Sequence, residues 1–405
     1  MIQLQAIVLA AGEGSRMRPL TSARPKVMLP VAGRPFLEEI LARASAAGVA
    51  RIVLVVGYHQ EVIRDHFGSG EELGLDIVYV VQDRQLGTGH ALSMARDLAD
   101  DRFLVLNGDV LPETSTLKRM ISIGRPAAAA FRVADPRRFG VFLMEGTRMA
   151  EVVEKSPSPP SNIANAGIYL LDYDIFRALK ALTPSARGEF ELTDGLNQLA
   201  REGAKIQIVE MEEWIEIGRP WDILDASRAV LSGRKLAMEG EVEAGATLLG
   251  SVAVGKGTRI RSGSYIDGRK DPIFIGPGCD IGPNCYIREG TCIGRDVRVG
   301  NAVEVKNSTV MDETKIGHLS YVGDSVIGEK CNFGAGTILA NLRHDGSSIK
   351  AIVKGELVDS GRRKFGAIMG DGVKTGIHTT IYPGTVIEAG YRSLPGAILK
   401  GHVGL

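Results

Sequence analysis

Aliphatic residues return at every sixth position over much of the second half of this 405-residue chain, and no other feature narrows its fold as sharply. Val242, Leu248, Val254, Ile260 and Ile266 form one run, and after a short insertion Ile275, Ile281, Ile287, Ile293, Val299 and Val305 form another. Met369, Thr375, Ile381 and Ile387 take the series up again. One apolar residue in six, with small turn residues between, describes a parallel β-helix whose coils stack their aliphatic positions inward. Glycine directly follows Ile275, Ile281, Ile293 and Val299, and the chain's 50 glycines meet the demand for repeated tight turns.

The first half follows a different pattern. Apolar strand candidates at 52–56, 77–81, 103–106, 128–133 and 206–209 are interleaved with helical patterns at 36–47, 90–99 and 173–182. This predicts a mostly parallel α/β sheet covered by helices, with ligands beyond the carboxyl ends of its strands. The chain then divides into a first domain at 1–227, a linker helix at 228–240 and the solenoid at 241–405.

The stretch LAAGEGSRMRPLTSARPKVMLP at 9–30 follows the first apolar run and combines Gly12 and Gly14 with Arg16, Arg18, Arg24 and Lys26. Glycines let backbone N–H groups approach an anion, and cations spread the charge of a triphosphate. Two further segments fall just after strands. Gln82 with Gly87 and Thr88 offers an amide and flexible backbone to a base edge, although QLGTG alone is also an ordinary loop into a helix. Asp109, ending Asn107-Gly-Asp, offers a carboxylate to Mg2+, although N-G-D alone is a common turn.

Taken whole, the 9–30 string resembles the signature of sugar-1-phosphate nucleotidylyltransferases, L-A-A-G-x-G-T-R-M-x-P-L-T followed by K-P and L-P, with Ser15 where threonine is usual. The resemblance implies a Rossmann-like domain that joins a sugar-1-phosphate to a nucleoside triphosphate. Leu9, Ala11, Gly12, Gln82, Gly87 and Thr88 match its nucleotide contacts, for UTP or dTTP. Gly140, Glu154 and Asn165 match its sugar contacts, Arg16 and Lys26 its triphosphate and phosphate cations, and Asp109 and Glu216 its Mg2+ carboxylates. Glu216 stands where aspartate is more frequent.

In the solenoid a histidine interrupts the pattern at Gly317-His318-Leu-Ser-Tyr321. That string, with those around Lys306, Cys331 and Asn341, resembles the acetyltransferase domain of the bifunctional glucosamine-1-phosphate acetyltransferases and N-acetylglucosamine-1-phosphate uridylyltransferases, especially archaeal ones. The likeness implies a left-handed β-helix of hexapeptide repeats, a homotrimer, and acetyl-CoA as co-substrate. His318 matches the general base, suited to deprotonating an amine near neutral pH. Arg288, Lys306, Tyr321, Asn332 and Asn341 match the sugar-phosphate contacts, with Lys350 as a further candidate, and Ala335, Gly376 and Ile377 match acetyl-CoA contacts. Here the usual N-Y-D-G reads Asn341-Leu-Arg343-His-Asp-Gly, followed by a basic stretch at 350–364 that either binds phosphates or is a solvated loop.

Forty-eight basic and 48 acidic residues leave the chain formally neutral, which argues against a nucleic-acid surface. Cys279, Cys285, Cys292 and Cys331 lack metal spacing and sit among apolar repeat positions, as small buried thiols of a reduced, cytoplasmic protein do. The first apolar run is too short for a membrane span. Two other readings stay open: a monofunctional uridylyl- or thymidylyltransferase with a structural β-helix, and a non-catalytic regulatory subunit. Intact Arg16, Lys26 and Asp109 speak against the latter.

Overall fold

The computed structural model describes residues 4–185 and 187–404 and divides into two compact units. The first unit comprises the chain up to Glu13 together with Phe36–Glu216. Its nine-stranded sheet runs in the order Asp76–Val81, Val49–Val56, Leu4–Leu9, Arg102–Asn107, Ile163–Asp172, Ala127–Arg132, Gln207–Glu210, Arg148–Glu154, Gly140–Glu145. The first four strands are parallel, the half of the expectation that holds. The sheet as a whole is mixed rather than mostly parallel, because Ile163–Asp172 runs antiparallel to both its neighbours and Arg148–Glu154 to both of its own. Alternate residues of these strands, including Ile7, Val53, Val55, Phe103, Val105 and Tyr169, fill the core against helices Thr88–Met94, Ile175–Lys180 and Leu192–Arg201.

The second unit comprises Gly14–Pro35 and the chain from Ile217 onward. The helix preceding the solenoid spans Asp222–Ser232, earlier than the expected 228–240, and Gly233 ends it. Beyond it lies a parallel β-helix. One ladder of six strands runs from Glu241–Val242 to Asn332–Phe333, and a fourteen-stranded ladder has two arms meeting at Tyr265–Ile275. In the regular stretch paired residues lie 18 or 17 positions apart, as in Ile281 with Val299 and Val299 with Ile316, so a regular coil is three repeats of about six, and insertions widen the step, as between Ile260 and Ile281 or Ile327 and Met369. Val254, Ile260, Ile266, Ile275, Ile281, Ile287, Ile293, Val299 and Val305 stack inside it, as do Val310, Ile316, Val322, Ile327 and Leu339. Val242 is exposed and Leu248 only partly buried, because the terminal coil has a neighbour on one side alone. Buried hydroxyls satisfy the corners: Thr258 and Thr314 accept from the N–H groups of Cys279 and Cys331, and Ser308 from that of Ser325.

An insertion at 340–366 leaves the solenoid and forms the antiparallel hairpin of Lys350–Val353 and Glu356–Asp359. Ile349, Ala351 and Phe365 from it join Met17, Leu20, Leu29, Trp221, Leu224, Ile368 and Val386 in a separate buried cluster. Arg362 donates to the Trp221 carbonyl at 3.1 Å and pairs with Asp225, so this member of the basic stretch is a structural tie rather than a phosphate ligand. All four cysteines are free and buried. Burial pushes Cys279 up to about 11 and Cys292 and Cys331 up to about 12, which makes them inert packing residues. No helix among the described residues is long and apolar enough to cross a membrane.

Candidate functional site

In the first unit three loops converge at the carboxyl ends of neighbouring parallel strands. Leu9 pairs with Val55 and Asn107, and Val56 pairs with Val81, one residue before Gln82. The loops approach so closely that a Cβ on Gly57 would lie 2.9 Å from the Ala11 carbonyl and 3.0 Å from that of Gln82. The Ala11 carbonyl accepts from Tyr58 N–H at 3.2 Å and from Gln85 Nε2 at 3.0 Å. Gly12 differs: a Cβ there would meet nothing within 4 Å, so the fold itself does not require glycine, whereas a ligand pressed against the backbone would.

Gln82 is buried, and its Nε2 lies 3.2 Å from the Gly87 carbonyl and 2.9 Å from His90 Nδ1, which fixes the amide across the loop. Gly87 has a φ of 104° and sits against the Phe190 backbone, so only glycine fits there. Thr88 begins helix Thr88–Met94, and its Oγ1 accepts from Leu192 N–H at 3.0 Å.

The expected sugar residues sit on the antiparallel strands. Glu154 lies against Gly140, where a Cβ would come within 2.7 Å of Oε1, and accepts from Thr193 Oγ1 at 3.1 Å. Asn165 holds the Tyr169 hydroxyl at 2.7 Å and accepts from Gly167 N–H. Burial raises the Tyr169 hydroxyl's pKa well above the ordinary tyrosine range, and the charges of Glu154 and Asp109 add to it, so all these groups face one region. Glu191 beside them is also raised, first by burial and then, against the pull of Arg187, by Glu189 and Glu154.

Strand Ile215–Glu216 pairs antiparallel with Val110–Leu111, which sets Glu216 opposite Val110 and hence beside the segment carrying Asp109. Asn107 Oδ1 is buried without a hydrogen-bond partner among the described residues. Carboxylate and amide oxygens are the donor set a hard divalent cation takes. No three His, Cys, Asp or Glu side chains gather for a metal among the described residues.

Arg16 and Lys26 lie in the segment assigned to the second unit. Gly14, at φ 70°, allows the loop to fold back on itself: a Cβ there would lie 2.5 Å from Lys26 Cβ. Thr21 Oγ1 closes the turn onto the Gly14 carbonyl at 3.2 Å, and Arg16 stays exposed while Met17 is buried.

On the β-helix, the parallel register stacks Asp267, Arg288, Lys306 and Gly323 on successive coils, and Tyr286, Glu304 and Tyr321 beside them. Arg288 pairs with Glu304 at 3.0 Å, and Lys306 lies 3.8 Å from Glu289. Asn341 Nδ2 donates to Asp324 at 2.5 Å and reaches the Tyr321 hydroxyl at 3.0 Å, while Asp324, buried, also accepts from Asn307 Nδ2 at 2.6 Å. Lys364, one of the cations of the basic stretch named as phosphate-binding candidates, joins this group: Lys306 beside it, then desolvation, hold its ammonium pKa below the ordinary lysine value. Two adjacent ammonium groups form a site for an anion. Lys350 lies elsewhere, on the hairpin, lining a groove with Arg343 and Lys400.

His318 is exposed at the end of strand Lys315–His318, outside the packed interior, paired in register with Asn301. Backbone bonds stack one corner coil upon coil, from Gly336 to the His318 carbonyl, from His378 to that of Ala335 and from Gly396 to that of Ile377. Leu319, Ile377 and Leu394 are exposed along this corner, an apolar stripe next to the imidazole. Gly334 and Gly376 touch, a Cβ on the former falling 2.5 Å from the latter's carbonyl carbon. Asn332 is exposed one coil beyond Lys315, away from the Tyr321 and Asn341 contacts.

Residues 5–233 match the nucleotidyl transferase family model, and residues 269–390 match the model described as the GMPPB C-terminal domain. The chain is 42% identical to the bifunctional protein GlmU of Methanococcus vannielii, over 97% of this chain and 94% of that one. It is 38% identical to a bifunctional sugar-1-phosphate nucleotidylyltransferase/acetyltransferase of Sulfurisphaera tokodaii, over 99% and 98%. A solved UDP-glucose pyrophosphorylase with UDP-glucose bound is 26% identical, with a TM-score of 0.52 over 57% of this chain and 100% of that one.

Proposed function

The chain belongs to the nucleotidyl transferase family, in its bifunctional GlmU branch, and from that premise we propose that it carries out two successive steps of UDP-N-acetylglucosamine synthesis. In the first, glucosamine-1-phosphate is N-acetylated at the expense of acetyl-CoA. In the second, N-acetylglucosamine-1-phosphate takes UMP from UTP with release of pyrophosphate.

The single observation carrying the two-step reading is the polar cradle on the solenoid. A β-helix that served only as scaffold would have no use for Arg288, Lys306 and Lys364 grouped around the Tyr321–Asn341–Asp324 network. We assign the sugar phosphate to these cations. His318 takes the proton from the amine as its nitrogen attacks the thioester carbonyl, and CoA leaves as the thiol. The stripe of Leu319, Ile377 and Leu394, with Ala335 and Gly376, suits a pantetheine arm. The left-handed twist of the solenoid and a threefold assembly belong to the same proposal and rest on the likeness to the bifunctional relatives.

In the nucleotidyl reaction, Gln82, Gly87 and Thr88 hold the base, and Gly140, Glu154 and Asn165 orient the sugar, so that its phosphate oxygen lies in line with the α-phosphorus. Arg16 stabilises the departing pyrophosphate and Lys26 the attacking phosphate. Asp109 and Glu216 would hold Mg2+, which would supply neutralisation of the triphosphate's charge. UTP and dTTP present the same hydrogen-bonding edge, and the choice of UTP rests on the family. The test is thiol release from acetyl-CoA with glucosamine-1-phosphate, repeated with His318→Ala. We expect wild-type release and a loss of about 100-fold or more in the variant. Release that is absent, or indifferent to the substitution, removes the acetyltransferase half and leaves the monofunctional reading.

A further inference from the structure

Between Arg16 and Lys26 lie two further cations, Arg18 and Arg24, that the nucleotidyl reading does not use. Arg24 is mostly buried, its side chain retaining 11% of its exposure, and it pairs with Glu329 and, at 2.5 Å, with Asp371. Both carboxylates stand at one corner of the β-helix on adjacent coils, and Asp371 also accepts from Glu329 N–H at 2.8 Å. Gly328 makes that corner tight: a Cβ there would lie 2.6 Å from Asp371 Oδ1. Burial opposes the charge on Arg24, yet the two carboxylates outweigh it and hold the guanidinium more firmly protonated than usual. The rest of the loop is anchored to the same unit, with Met17, Leu20 and Leu29 fully buried against Trp221, Phe365, Ile368 and Val386.

A loop that has to place Arg16 and Lys26 against phosphates gains nothing chemically from sending Arg24, two residues before Lys26, into the side of another fold. It gains position. We propose that Glu329 and Asp371 of the β-helix clasp Arg24 and thereby hold the segment bearing Arg16 and Lys26 in the conformation that nucleotidyl transfer requires. Arg24 is then a positioning residue, and the solenoid contributes to the uridylyl step as well as to its own. This inference rests on the reading of that segment as the triphosphate loop. A partly buried three-charge network suits the purpose, because it is satisfied in one geometry only and leaves the mostly buried Arg24 under-paired when a carboxylate is lost.

The experiment compares full-length wild type with Glu329→Gln, Arg24→Met and the swap Arg24→Glu with Glu329→Arg. It measures pyrophosphate release from UTP with N-acetylglucosamine-1-phosphate, and thiol release from acetyl-CoA with glucosamine-1-phosphate. Displacing catalytic groups by about an ångström costs on the order of 10- to 100-fold, so Glu329→Gln is expected to lower kcat for pyrophosphate release about 10-fold, with KM for UTP within about twofold. Thiol release stays within about twofold of wild type, which a general loss of stability would not spare. The swap recovers a substantial part of the lost kcat. Unchanged kcat in Glu329→Gln and Arg24→Met, from a wild type that releases pyrophosphate, overturns the clasp alone. A parallel fall in both activities also overturns it, since the network would then be only a stabilising tie. A wild type that releases no pyrophosphate overturns the nucleotidyl reading beneath it.

Discussion

Replacing Gly323 by alanine puts the polar cradle of the β-helix to a direct test. Gly323 follows Lys306 in the coil ladder, and a Cβ there would lie 2.5 Å from both Asn341 Nδ2 and the Tyr321 hydroxyl. Its backbone is not in the left-handed region, so the substitution brings crowding without backbone strain. The Asn341 amide must give way, and with it goes a hydrogen bond to the buried Asp324 carboxylate, which keeps Asn307 as its other side-chain partner. Losing one hydrogen bond to a charged group costs about 1.5–3 kcal/mol. At about 1.4 kcal/mol per tenfold, kcat/KM for acetyl transfer to glucosamine-1-phosphate should fall by about 10- to 150-fold. The assay is thiol release at limiting sugar phosphate, with pyrophosphate release from the same preparation as the internal control, expected unchanged. Acetyl transfer within twofold of wild type would refute the assignment of Tyr321 and Asn341 to the sugar-phosphate site.

Two further predictions concern the second unit's packing and its pH response. Phe365, fully buried with its ring centroid 5.6 Å from that of Trp221, ties the inserted segment to the helix preceding the solenoid, and Phe365→Ala should destabilise it by about 3–5 kcal/mol in denaturant unfolding; a loss under about 1 kcal/mol would contradict the packing. Asp222 accepts from the N–H groups of Gly218 and Arg219, yet burial outweighs these bonds and raises its pKa. A carboxyl raised on folding favours the native state below its ordinary pKa, and this contribution is lost as pH climbs through the raised value. Asp222→Asn keeps an acceptor oxygen, and it should therefore gain stability relative to wild type at pH 8 and lose that advantage near pH 4. Identical pH profiles for the two proteins would count against the assignment.

The solenoid was legible wherever its spacing stayed at six. From Val305 to Val310 and from Val322 to Ile327 the interval shrinks to five, and the aliphatic series through Leu339 drops out of a strict count although it forms the same core. The opposite error falls on Val242 and Leu248, which keep the period but belong to a terminal coil with too little neighbouring surface to bury them. In the first unit the parallel strands showed as continuous apolar runs. Strands Gly140–Glu145 and Arg148–Glu154 carry only short apolar stretches, such as 141–144 and 152–153, beside charged residues and were visible only as motifs. Lys364 was legible as one cation of a basic stretch, but its place beside Lys306 was not, because that approach depends on the path of the 340–366 insertion. Arg24 poses the same difficulty at longer range: its partner Glu329 is 305 residues away, and no local pattern encodes such a pairing.

The account stands on two different chemistries residing in one chain, and product analysis by mass spectrometry tests this most directly. The purified full-length protein is supplied with glucosamine-1-phosphate, acetyl-CoA, UTP and Mg2+. It should form UDP-N-acetylglucosamine with one CoA and one pyrophosphate released per product, while His318→Ala should form it only when N-acetylglucosamine-1-phosphate replaces the free amine. A wild type that requires the pre-acetylated sugar, or a His318 variant that converts glucosamine-1-phosphate as wild type does, would contradict the account.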